Sequence, residues 1–128
     1  MKRVTGIGGV FFKAEDPNKL IGWYRDHLGL QPEEYGASVN FNWRDAEDPS
    51  KSGMTVFSIF DKDTEYFGPK NPGFMMNFRV DDLDAVFSAL AAEGVEIDPR
   101  REDYDFGRFA WIVDPEGNRI ELWQPIGE

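Results

Sequence analysis

The chain has 128 residues, room for one domain-sized unit or a duplication of two half-size modules and too few for a second fused domain. It has no cysteine, which excludes a disulfide framework, a thiolate nucleophile and a Cys-type zinc site; with His27 the only imidazole, any metal would be held mainly by oxygen. Twenty-four acidic against 14 basic residues, a formal net charge of −10, argue against nucleic acid and anionic membrane surfaces and favour cationic ligands.

Met1-Lys2-Arg3 is basic, but Gly6, Gly8 and Gly9 break the run that follows, and Lys13 arrives too soon for a signal-peptide core. No apolar run approaches membrane-spanning length, so a cytoplasmic protein off the membrane is expected. Gly6-x-Gly8-Gly9 lacks the full dinucleotide fingerprint and is read as close backbone packing in a strand. Val10 to Ala14 alternates as a strand. Asp16-Pro17 then supplies a cap and a first-turn proline for a helix carrying Leu20, Ile21, Tyr24 and Leu28, which Gly29 ends. His27, in the last turn beside Asp26, suits the helix dipole as a solvated or capping residue. Val39 to Trp43 and Met54 to Phe60 read as strands, and the acidic stretches Asp45 to Asp48 and Asp61 to Glu65 as solvated loops.

Gly68, Pro69, Pro72 and Gly73 punctuate the middle, after which the grammar repeats: strand Phe74 to Val80, Asp81-Asp82 cap, and a helix with Leu83, Val86, Phe87, Leu90 and Ala91 on one face before Gly94. Pro99 to Arg108, rich in charge but carrying Tyr104 and Phe106, reads as a loop rimming a cleft. Phe109 to Val113 and Arg119 to Trp123 flank Asp114-Pro115-Glu116-Gly117-Asn118, where Pro115 presets a turn and Gly117 and Asn118 accept positive φ, so this segment is a hairpin. An offset of 66 residues lays Lys13 on Arg79, Asp16 on Asp82, Leu20 on Val86 and Ile21 on Phe87. Two βαβββ modules follow, over 4–67 and 73–126 of a single 1–128 domain.

The closing hairpin with Ile120-Glu121-Leu122, the duplicated module, and Asp-Pro-x-x-Leu-x-x-Trp-Tyr-x-x-x-Leu-Gly from Asp16 to Gly29 together resemble the vicinal oxygen chelate superfamily, which includes glyoxalase I, extradiol dioxygenases, fosfomycin-resistance enzymes and bleomycin-binding proteins. The resemblance implies an α+β fold in which two modules form a curved mixed sheet, with the face opposite the helices lining a ligand cleft. It also implies that Glu121 stands where the enzymes place a metal ligand. Their other ligand positions fall on Gly9 and Met75, which cannot serve a hard or borderline divalent ion, and the run Met54 to Phe60 offers no acid or imidazole, Asp61 lying just beyond.

Strand alternation puts Phe74, Met76, Phe78 and Val80, and by the repeat Val10, Phe12 and Ala14, against the helices. Gly9, Phe11, Lys13, Met75, Asn77 and Arg79 then face the cleft, joined by Arg119, Glu121 and Trp123 while Ile120 and Leu122 enter the core. Glu121 is expected to pair with Lys13, Arg79 or Arg119, or to meet ligand. Tyr104 and Tyr24 are available hydrogen-bond donors, but no base stands at a fixed spacing from either. The expectation is a metal-free, cofactor-free homodimer that holds a small organic molecule, with Phe11, Met75 and Trp123 as apolar wall and Lys13, Asn77, Arg79 and Glu121 as orienting groups. The alternative is a glyoxalase-type lyase, isomerase or dioxygenase with a divalent metal on Glu121.

Overall fold

The computed structural model describes residues 2–127, so Met1 of the basic start lies outside the described residues. The elements run β1 Val4–Ala14, α1 Pro17–Leu28, β2 Ser38–Arg44, β3 Ser52–Asp61, β4 Phe74–Val80, α2 Leu83–Ala92, β5 Glu96–Tyr104, β6 Gly107–Val113 and β7 Arg119–Pro125. Parallel and antiparallel pairs are mixed, which is the expected α+β class. The chain divides into two units, residues 9–74 and residues 1–8 with 75–128.

In the unit of residues 9–74, β3 lies between β2, antiparallel, and β1, parallel. Both signals for α1 hold: the Asp16 side chain accepts from the Lys19 N–H, and Gly29 closes the helix in the left-handed region with φ 72°. Ile21 packs with Ala37, Val39 and Ile59, flanked by Phe12, Ala14, Leu20, Tyr24 and Phe57. Phe12 and Ala14 therefore face α1 as alternation requires, but Val10 is 37% exposed and not in the core. Among the described residues two strands follow α1 before β4, so this module reads βαββ where βαβββ was expected.

In the other unit the order is β4-β7-β6-β5, with β4 and β7 parallel and the remaining pairs antiparallel. Asp82 caps α2 by accepting from the Ala85 N–H, and Val80, Leu83, Val86, Ala110 and Leu122 form the core under it. Each buried Val or Leu side chain of this core contributes about 1.5–3 kcal/mol. Phe74, expected to face the helix, is instead 50% exposed at the strand's first residue.

The stretch Pro99 to Arg108 is not a loop: β5 extends to Tyr104 with a register shift between Ile97 and Arg101, and β6 begins at Gly107. An irregular strand carries no clean period of two, which is why its pattern reads as a loop. The final hairpin forms as predicted. Its turn is closed by the Asp114 N–H donating to the Asn118 carbonyl and by the Asp114 carboxylate accepting from the Asn118 backbone and side chain. Gly117 alone carries the positive φ, at 86°; Asn118 does not share it.

Candidate functional site

The parallel register of β4 on β7 sets Asn77 beside Glu121 and Arg79 beside Trp123, and the antiparallel register of β6 on β7 sets Trp111 opposite Glu121. All five side chains are buried, with Glu121 only 2% exposed. Burying a carboxylate is costly unless it accepts hydrogen bonds. Here Asn77 Nδ2 donates to Glu121 Oε1 at 2.5 Å and Trp111 Nε1 donates to Oε2 at 3.1 Å, so each oxygen is held by a neutral donor. The two bonds keep the carboxyl plane fixed.

Around this centre, the Arg79 guanidinium lies 4.9 Å from the Trp123 ring centroid, and Trp123 stacks on Phe109 at 6.1 Å and 5°. Tyr104 and Phe106 lie parallel at 5.2 Å, both exposed, and Phe109 meets each edge-on. The Tyr104 hydroxyl donates to Glu102; that bond, then burial, then the charges of Glu102 and Glu121 hold the phenol above its ordinary pKa, so it stays a hydrogen-bond donor at neutral pH. The convergence of Asn77, Arg79 and Trp123 depends on Gly8. A Cβ there would stand 2.1 Å from Asn77 Oδ1, 2.9 Å from Trp123 and 3.1 Å from Arg79.

The unit of residues 9–74 repeats the register with different chemistry. Phe11 pairs with Ser58 and Lys13 with Phe60, where Asn77 pairs with Glu121 and Arg79 with Trp123. Ser58 thus stands where the repeat has Glu121, and it shares a 2.7 Å hydrogen bond with Ser38 as Glu121 does with Trp111. Lys13 bonds to Asn71 and lies 5.5 Å from the Phe67 ring centroid, while Phe60 contacts Phe11, Tyr66 and Phe67.

Of the residues read from the sequence, Met75, Asn77, Arg79, Glu121 and Trp123 all lie in one unit and Phe11 and Lys13 in the other. Two of the three cations expected as candidates for Glu121 have partners of their own. Lys13 takes Asn71, and Arg119 takes Asp98 at 3.2 Å, while Asn77 and Trp111 are among the groups that hold Glu121. Trp111, Phe109 and Ser58 escaped the sequence reading as site residues, while Gly8 was read as close backbone packing in a strand. Trp111 was within reach, because counting symmetrically outward from the turn pairs it with Glu121.

The profile of the Glyoxalase/Bleomycin resistance protein/Dioxygenase superfamily matches residues 6–122. The chain belongs to that superfamily. A methylmalonyl-CoA epimerase from Mycobacterium tuberculosis is 25% identical at TM-score 0.59, covering 98% of this chain and 91% of that one. A Streptomyces coelicolor methylmalonyl-CoA epimerase in complex with 2-nitronate-propionyl-CoA shares the fold at 17% identity and TM-score 0.68, covering 97% and 96%. So does a structure described as an NAD-dependent benzaldehyde dehydrogenase from Legionella pneumophila, at 21% identity and TM-score 0.60, covering 91% and 97%. No curated protein sequence matches.

The superfamily implies a divalent metal for its enzymes, and the residues here do not fit one. The positions that would supply ligands hold Gly9, the thioether of Met75, the Ser58 hydroxyl and Glu121. Among the described residues no three His, Cys, Asp or Glu side chains cluster to hold an ion. One carboxylate without two further strong donors does not make a catalytic metal site.

Proposed function

We propose that this protein binds a small organic molecule without a metal, the ligand resting on the aromatic face built by Trp123 and Phe109 and oriented by Arg79 and the Asn77–Glu121 pair, with Met75 as apolar wall. The observation that carries the reading is the engagement of both Glu121 oxygens by Asn77 and Trp111, which makes the carboxylate a fixed recognition group. Phe11 and Lys13 offer a second aromatic and cationic arrangement in their own unit. The related structure bound to 2-nitronate-propionyl-CoA supports an organic ligand for this fold.

Metal analysis of protein purified without chelator, paired with thermal melts in manganese, nickel, zinc or iron, tests the reading. No stoichiometric metal and no rise in melting temperature are expected, since an ion bound only to the native state would raise it. A clear shift with one ion, abolished in Glu121→Gln, would overturn the reading in favour of a metal-dependent lyase, isomerase or dioxygenase.

A further inference from the structure

We propose that Arg119 is the receptor for a carboxylate group of the ligand, a subsite distinct from Glu121 on the same strand face. The inference rests on the small-molecule reading above and names the ligand's chemical class. Arg119 begins β7 two residues before Glu121, and its side chain is only 10% exposed. Its guanidinium lies over the Trp111 ring, 4.9 Å from the centroid, and Nη1 reaches Asp98 Oδ2 at 3.2 Å. The other edge of the fork is shut off from water and unmatched: Nε and Nη2 are buried with no hydrogen-bond partner.

A guanidinium carries five donors in a rigid plane, and the Nε–Nη2 edge is spaced for two oxygens of one carboxylate. Leaving donors of a charged group buried and unmatched costs more than leaving neutral ones. The Asp98 contact offsets this only at Nη1. A ligand carboxylate meeting both free N–H groups removes the mismatch, with its planar body against the aromatic face. To receive it the guanidinium swings on its flexible stem away from the shut face, stretching the single Asp98 contact that tethers it. Glu121 lies two residues along, about 7 Å at strand rise, with both oxygens already accepting hydrogen bonds, so the anion seats at the Arg119 end of the face.

Calorimetric titration of the full chain with benzoate, its neutral isostere benzamide, and benzylammonium tests this. Benzoate is expected to bind saturably and benzamide at least tenfold more weakly. Arg119→Lys, which keeps the charge but loses the fork, should weaken benzoate at least tenfold, and Arg119→Met should abolish binding. Asp98→Asn, by freeing the tether, should tighten it severalfold; circular dichroism melts confirm that each variant is folded. Benzoate binding unchanged in Arg119→Lys, or benzamide binding equally well, overturns the proposal. If benzamide or benzylammonium binds while benzoate does not, the carboxylate subsite falls while the small-molecule reading stands. If none of the three binds, both fall.

Discussion

Replacing Glu121 by alanine and by glutamine separates its roles as acceptor and as charge. Alanine removes the acceptor from two donors, Asn77 Nδ2 and Trp111 Nε1, in a site that water does not reach. Each orphaned donor costs about 1–3 kcal/mol. Relief from keeping a carboxylate buried offsets part of that, so the net loss in Glu121→Ala is expected near ~3 kcal/mol. Glutamine keeps one oxygen for Trp111 and places an NH2 before Asn77, whose Oδ1 is buried without a partner. If Asn77 turns its amide over, that oxygen accepts from the new NH2 and the network closes again, so Glu121→Gln should cost only about 1 kcal/mol. Urea unfolding followed by circular dichroism measures both, with the slope checked for constancy. Adding Trp111→Phe to each background isolates the coupling, expected near ~1 kcal/mol with Glu121 present and absent in Glu121→Ala. Equal costs for alanine and glutamine, or a neutral alanine, would refute the idea that the carboxylate is held in place by these two donors.

Leu122→Ala, in the core with Val80, Leu83, Val86 and Ala110, should lose about 3 kcal/mol as a cavity, whereas Trp123→Phe, which keeps a ring over Phe109, should cost less but weaken aromatic ligands. A silent Leu122→Ala with an unfolded Trp123→Phe would put the register off by one. Hydrogen bonds from Asn118, its side chain first, hold the Asp114 carboxyl below its ordinary pKa; because the folded value is depressed, that stabilisation is complete above about pH 4 and is lost as pH falls through the folded value. Acid titration of stability should therefore flatten in Asp114→Asn, and an unchanged profile would remove the turn from the account. Sedimentation is expected to show a homodimer, since exposed sheet edges favour pairing; a monomer at every concentration would refute it.

Local chemistry alone determined much of this protein. Asp16 with Gly29, and Asp82, bound the helices because caps act through neighbouring backbone groups, and the Asp114–Asn118 turn sets the hairpin register, so the division of Leu122 from Glu121 and Trp123 follows from a period of two. The superfamily was legible for the same reason, its motifs being the caps, the turn and their repetition. What the tertiary structure decided lies across strands. The irregular register of β5 destroys its period and hides it as a loop, the donors to Glu121 depend on which strands neighbour β7, and Arg119 reaches past β6 to Asp98 on β5. Lys13, Arg79 and Arg119 were equal candidates for Glu121 by charge, because Coulomb attraction names no address. The tertiary fold gave Lys13 to Asn71 and Arg119 to Asp98, and strand register brought Asn77 and Trp111 as donors to a buried acid whose need for partners was plain from its sequence neighbours while their identity was not.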